Sequence, residues 1–162
     1  MVLPDEIRSA RQEGEVQPAL AWLDTDEYNN DDGADLLADI CHDFETTEAD
    51  VDVARLLLSR GVDANYCEEG DGWTLLHAAS SFSRNEYGRK LIAALIGAGA
   101  DVNARANPAY SYSTPLGALL ENTASLPDPD VLNHYLETAT LLLRAGASLD
   151  ACYNANGNFS AE

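Results

Sequence analysis

The chain has 162 residues, 46% of them apolar, enough to bury the core of one domain. Its formal net charge is −19, from 28 acidic against 9 basic side chains, a field that repels nucleic acid phosphates and anionic lipid headgroups. The longest apolar stretch, Leu91 to Ala100, is half of the ~20 residues needed to cross a membrane, and Met1 to Glu6 lacks the Lys or Arg that opens a secretory leader.

Helical spacing begins early. Leu3, Ile7 and Ala10 fall on one face, with Asp5 and Glu6 in a first turn where negative charge suits the helix dipole, and Val16, Ala19, Leu20 and Leu23 form a second face. From Asp24 to Asp52 there are 12 acids and no Lys or Arg, so residues 1–52 carry 16 acids against 2 basic residues, −14 of the total. Inside this stretch starts a phrase, Asp32-Gly33-Ala34-Asp35-Leu36-Leu37-Ala38, that returns as Asp71-Gly72-Trp73-Thr74-Leu75-Leu76-His77. It returns again, more loosely, as Tyr112-Ser113-Thr114-Pro115-Leu116-Gly117. A second phrase follows each copy: Leu57-Leu58-Ser59-Arg60-Gly61-Val62-Asp63-Ala64-Asn65, then Leu95 to Asn103, then Leu142 to Asp150. Two phrases in fixed order mean a repeat array, in which each unit buries its apolar face only by stacking on a neighbour.

The middle unit reads most clearly. Thr74 is placed to cap a helix, and in the next copy Pro115 follows Thr114 at the one helical position where a missing N–H costs nothing. Leu75, Leu76, Ala78 and Ala79 suit a closely packed first helix. A second helix is expected from about Gly88 to Ile96, carried by Leu91, Ile92, Leu95 and Ile96 and stopped by Gly99. Gly61 and Gly146 hold the same place in the flanking units. Between Phe82 and Gly88 the connection is expected to be long, and Asn122 to Asn133 reads as a larger insertion. Its Pro127-Asp128-Pro129-Asp130 run is expected to form an exposed turn, followed by an unusually long helix from Val131 to Leu143.

The pattern in residues 71–104, Asp-Gly-Trp-Thr-Leu-Leu-His-Ala-Ala followed by Gly-Ala-Gly-Ala-Asp-Val-Asn-Ala, resembles the ankyrin repeats. The departures are Leu75 where that family has proline, Ala38 and Gly117 where it has histidine, and spacings of 39 (Asp35 to Thr74) and 40 (Thr74 to Thr114) against the family's ~33. The resemblance implies an all-α solenoid of helix-turn-helix units with short hairpin fingers. It divides the single domain 1–162 into a capping repeat (1–29), a second repeat (30–64), a third closest to the pattern (65–104), a fourth with an insertion (105–151), and a ragged tail or truncated fifth repeat (152–162). It implies binding through finger tips and the exposed side of each first helix. By position these are Asp31, Asp32, His42 and Asp43, then Asp71, Trp73, Ser81 and Phe82, then Tyr110, Tyr112, Ser113 and Glu121. Trp73 stands out, because tryptophan is over-represented among residues that dominate binding energy. His77 is implied to be structural, bonding backbone and Thr74 at the helix start.

Catalytic and metal chemistry find little support. No acid, base and nucleophile set is spaced to form a triad, and no His/Cys spacing matches a zinc site. With Gly33 sixth in a calcium loop, Tyr28 stands first, Asn30 third and Asp32 fifth, so the leading carboxylate is missing. Gly97-Ala98-Gly99 lies at a helix end and makes no phosphate loop. No cofactor is expected. Cys41, Cys67 and Cys152 form no paired framework, which points to an intracellular, cytoplasmic chain. Three functions fit: a non-enzymatic, monomeric interaction module holding a basic protein partner; an acidic inhibitor or immunity protein occupying the groove of a nucleic-acid enzyme; and the N-terminal part of a larger scaffold. Direct nucleic acid and membrane binding are disfavoured by charge.

Overall fold

The computed structural model describes residues 5–25, 28–67, 72–82, 84–106, 114–123 and 129–149. Among them are eight helices: α1 Asp5–Gln12, α2 Gln17–Leu23, α3 Asn30–Cys41, α4 Glu48–Ser59, α5 Leu75–Phe82, α6 Glu86–Gly97, α7 Pro115–Thr123 and α8 Pro129–Arg144. They pair in chain order and the pairs stack, with α3, α5 and α7 in one layer and α4, α6 and α8 in the other. One apolar core runs from Ile7 to Ala147 through every pair, as an all-α solenoid requires. Among the described residues the only bridge is antiparallel, between Cys67 and Thr74, where Leu75 N–H meets the Tyr66 carbonyl at 3.2 Å.

The second helices end alike because glycine can adopt the left-handed backbone. Gly61, Gly99 and Gly146 have φ of 93°, 98° and 100°. The next amide then turns back, so Val62, Ala100 and Ala147 donate to the carbonyls of Leu57, Leu95 and Leu142 at 3.2, 3.0 and 3.0 Å. This closes the last turn and buries the same leucine in each unit.

Asparagines four residues after these glycines join one unit to the next. Asn65 Nδ2 donates to the Gly99 carbonyl (3.1 Å) and its Oδ1 accepts from Asp101 N–H (2.8 Å). Asn103 repeats this one unit later, on the Gly146 carbonyl (2.9 Å) and Ser148 N–H (2.8 Å). The first unit is fastened differently. Arg11, buried, places Nη1 at 3.0 Å from Asp50 Oδ1 and 3.2 Å from Asp43 Oδ2, while Arg60 reaches back to the Leu23 carbonyl and to Asp24.

Helix starts depart from the sequence reading in three places. Asp32 and Gly33 lie in the first turn of α3, not in a finger, because Asn29 caps the helix by accepting from Asp31 N–H (2.9 Å) and Asp32 N–H (3.0 Å). Gly33 also faces Tyr28, whose hydroxyl would lie 2.7 Å from an added Cβ. Helix α6 begins at Glu86 instead of Gly88, since Asn85 caps it from Gly88 N–H (2.9 Å) while donating across to the Thr46 carbonyl (2.8 Å). That leaves only 83–85 between α5 and α6, so the long connection expected there is absent. Of the Pro127–Asp130 run, Pro127 and Asp128 lie outside the described residues, and Pro129 and Asp130 open α8 instead of forming a turn, as suits a proline with no N–H to place in a first turn. The long final helix does appear, at 16 residues against 12 in α4 and α6.

Candidate functional site

Helix α3 sets out carboxylates at the helical repeat. Asp31 and Asp35 are exposed and Asp39 half-buried, at i, i+4 and i+8 along one face. The Tyr66 hydroxyl, from the segment after α4, donates to Asp35 Oδ1 at 3.0 Å and brings an aromatic ring to this face. Asp32 does not share it: at 8% exposure it accepts from Asn29 Nδ2 at 2.6 Å and serves the helix start.

At the start of α5, Trp73 is half-buried with its ring tilted 32° over the imidazole of His77, centroids 5.0 Å apart. His77 is fully buried; its Nδ1 accepts from Thr74 N–H (3.2 Å) and lies 2.9 Å from Thr74 Oγ1. Accepting at Nδ1 puts the neutral ring's proton on Nε2. The Thr74 hydroxyl thus faces the imidazole, whereas Thr114 caps α7 from Gly117 N–H at 3.2 Å, with Pro115 at the first helical position.

The opposite end of the helical hairpins carries a separate cluster. The His42 ring donates from Nδ1 to the Ala38 carbonyl (2.9 Å) and packs 5.3 Å from Phe82. Phe82 meets Phe44 edge-on at 4.8 Å, and the Arg84 guanidinium lies 4.5 Å over Phe44. Asp43 turns inward to Arg11. Ser81 is 6% exposed, and its carbonyl accepts from the Tyr135 hydroxyl at 3.4 Å. Glu121 is exposed on α7, its carboxyl raised above the usual range by desolvation.

The expected contact residues therefore separate into an α3 and Trp73 side and a loop-end side. Asp71, Tyr110, Tyr112 and Ser113 lie outside the described residues. Asp35, Asp39, Tyr66, Phe44 and Arg84 were not singled out by the repeat pattern. The four-residue spacing from Asp31 was a readable signal for the first two, while Phe44 and Arg84 meet only through packing. Among the described residues no three His, Cys, Asp or Glu side chains gather as a metal site, and no helix is long and apolar enough to cross a membrane.

Family models match the chain twice: residues 41–87 to one described as ankyrin repeats in many copies, and residues 71–107 to a single ankyrin repeat. No curated protein matches. Ankyrin repeats are protein–protein interaction modules, generally without enzymatic activity. The two matches cover residues 41–107, the units with the clearest glycine stops and the Asn65 clamp; these units are similar to ankyrin repeats, and the paired, stacked helices on either side follow the same plan.

Proposed function

We propose that this array is a non-enzymatic binding module for a basic protein partner, held on the acidic side of α3 and at the finger that carries Trp73. The observation that carries the reading is the row Asp31, Asp35 and Asp39, set along one side of a first helix in a stretch without Lys or Arg. Such a row concentrates negative potential where cationic side chains dock, and the remaining charge of the first third steers them toward it. Trp73 adds apolar area beside a rigid, buried helix start, the setting in which an aromatic anchor contributes most. Residence inside the cell suits a chain whose Cys41 is a buried thiol in no disulfide.

The inhibitor reading required acids along one contiguous face, and it is less well supported. Asp43 and Asp50 are drawn to Arg11, Asp32 is spent on the helix cap, and Glu48 and Asp52 stand on α4 in the other layer. The test is affinity capture from lysate with the parent chain, Trp73→Ala, and the triple Asp31→Asn, Asp35→Asn, Asp39→Asn variant, each at low and high salt. A basic protein held by the parent, weakened by both variants and by salt, is the expected result. Retention that ignores the variants and the salt would remove this surface from the function.

A further inference from the structure

Between Asp31 and His42 every residue is buried except four: Asp31, Asp35, Asp39 and His42. At ~100° of turn per residue these four fall within an arc of about 80°, so the accessible part of α3 is one strip of three carboxylates that ends in an imidazole. The strip is not widened by the next first helix, since α5 is buried from Leu75 to Ser81. Its loop end runs into rings: His42 packs 5.3 Å from Phe82, and Phe82 meets Phe44 edge-on at 4.8 Å. Phe44, 46% exposed, is the one large apolar side chain left open among the described residues before α8.

Spacing and charge together indicate what fits along such a strip. Four residues of helix rise ~6 Å, so the carboxylates span ~12 Å from Asp31 to Asp39, and His42 follows at ~16–17 Å. An extended chain repeats a side chain on the same side every ~6.6 Å. Three cations at alternate positions therefore span ~13 Å, and the next same-side position falls at ~20 Å, past His42 and among the rings. A docking helix needs an apolar surface for its own apolar stripe, which a strip one carboxylate wide does not offer. At the rings the preference changes. The Arg84 guanidinium already lies 4.5 Å over Phe44, so a partner's cation gains little there, whereas an apolar side chain covers ring surface that now faces water.

We infer, on the reading of α3 as the docking face, that the partner's docking element is an extended segment with Lys or Arg at three alternate positions and a large apolar side chain two residues further on. The cations lie on Asp31, Asp35 and Asp39, and the apolar side chain is seated against Phe44 and Phe82. The carboxylates supply an attraction that salt screens, while the rings supply an anchor that salt does not weaken and fix which end of the segment lies at the loop end.

Two seven-residue peptides test this on the full chain. Both carry lysine at the first, third and fifth positions with serine between; one ends in phenylalanine and the other in serine. Binding is read at low salt by the anisotropy of a dye on the peptide's N-terminus. The parent is expected to hold the phenylalanine peptide about 2- to 12-fold more tightly, the contribution of one aromatic pair. Phe44→Ser should erase that difference while binding the serine peptide as the parent does, and the triple Asp31→Asn, Asp35→Asn, Asp39→Asn variant should weaken both. In the parent, ring protons of the bound phenylalanine should show nuclear Overhauser contacts to those of Phe44, a readout that needs no variant to fold. Equal affinity of the parent for the two peptides, a preference that survives Phe44→Ser, or no ring contact to Phe44 would overturn the inference and leave α3 as the docking face. Binding of neither peptide, or binding that ignores the triple variant, would remove both.

Discussion

Replacing Arg11 by methionine keeps much of the apolar stem and removes the charge, so it isolates what the guanidinium does between the first and second units. Asp50, whose side chain is 2% exposed, then keeps its bonds from Thr47, the backbone N–H and the hydroxyl, each at 2.8 Å to Oδ2. Among the described residues its charge would face no cation. Removing one partner of such a pair costs about 3–5 kcal/mol. The surviving Thr47 bonds place the expected loss at the lower end, about 3 kcal/mol, and Asp43, at 30% side-chain exposure, adds little because water screens it. For a chain of this size each kcal/mol shifts the melting temperature by about 2–4 °C, so the midpoint should fall by about 6–12 °C. Thermal and urea unfolding followed by far-UV circular dichroism measures both. Adding Asp50→Asn removes the stranded charge while leaving an acceptor for Thr47, so the double variant should be more stable than Arg11→Met alone. A loss under about 1 kcal/mol, or two losses that simply add, would refute a charge-pairing role.

Gly99→Ala should cost about 1 kcal/mol in urea unfolding. No heavy atom lies within 4 Å of the added Cβ, so the penalty is the left-handed backbone alone, and Gly99→Asn should recover part of it. Asn103→Ala should lose about 1–3 kcal/mol from two bonds across the repeat boundary, and hydrogen exchange at Ser148 N–H should accelerate most. Iodoacetamide at neutral pH should label exposed Cys67 and leave Cys41 intact until the chain unfolds, because burial pushes the Cys41 thiol far above its ordinary value. Burial also raises Tyr135, partly offset by Arg84, so the unfolded chain loses this proton at lower pH than the folded one. The stability it contributes is therefore complete below its ordinary value of 10.0 and is lost as pH rises through the folded value. Urea midpoints above pH 10 should fall less steeply in Tyr135→Phe; equal slopes would count against it.

Much of this architecture could be read before any coordinates. Glycines 61, 99 and 146 announce the helix stops because no other residue adopts that backbone cheaply, and leucine spacing announces the long α8. The second unit misled because its Asp-Gly phrase copies a finger, while Asn29 supplies a cap six residues before Asp35, the position aligned with Thr74, and Tyr28 needs the space that Gly33 leaves. Loop-end residues such as Phe44 and Arg84 gave no repeat signal, and they meet only because the turns of neighbouring units are brought side by side.

What the chain's order of residues determined by itself was local: the period of the recurring phrases, the helix stops, the resemblance to ankyrin repeats, and a charge gathered in the first third. Tertiary structure alone decided that Arg11 answers Asp50 across 39 positions, that Asn103 clamps Gly146 across 43, that Ser81 is buried, and that Phe44 stays exposed. A cap or a stop depends on backbone within one turn of helix, whereas these pairings depend on how one unit is stacked on the next, a geometry set by the whole packed interface.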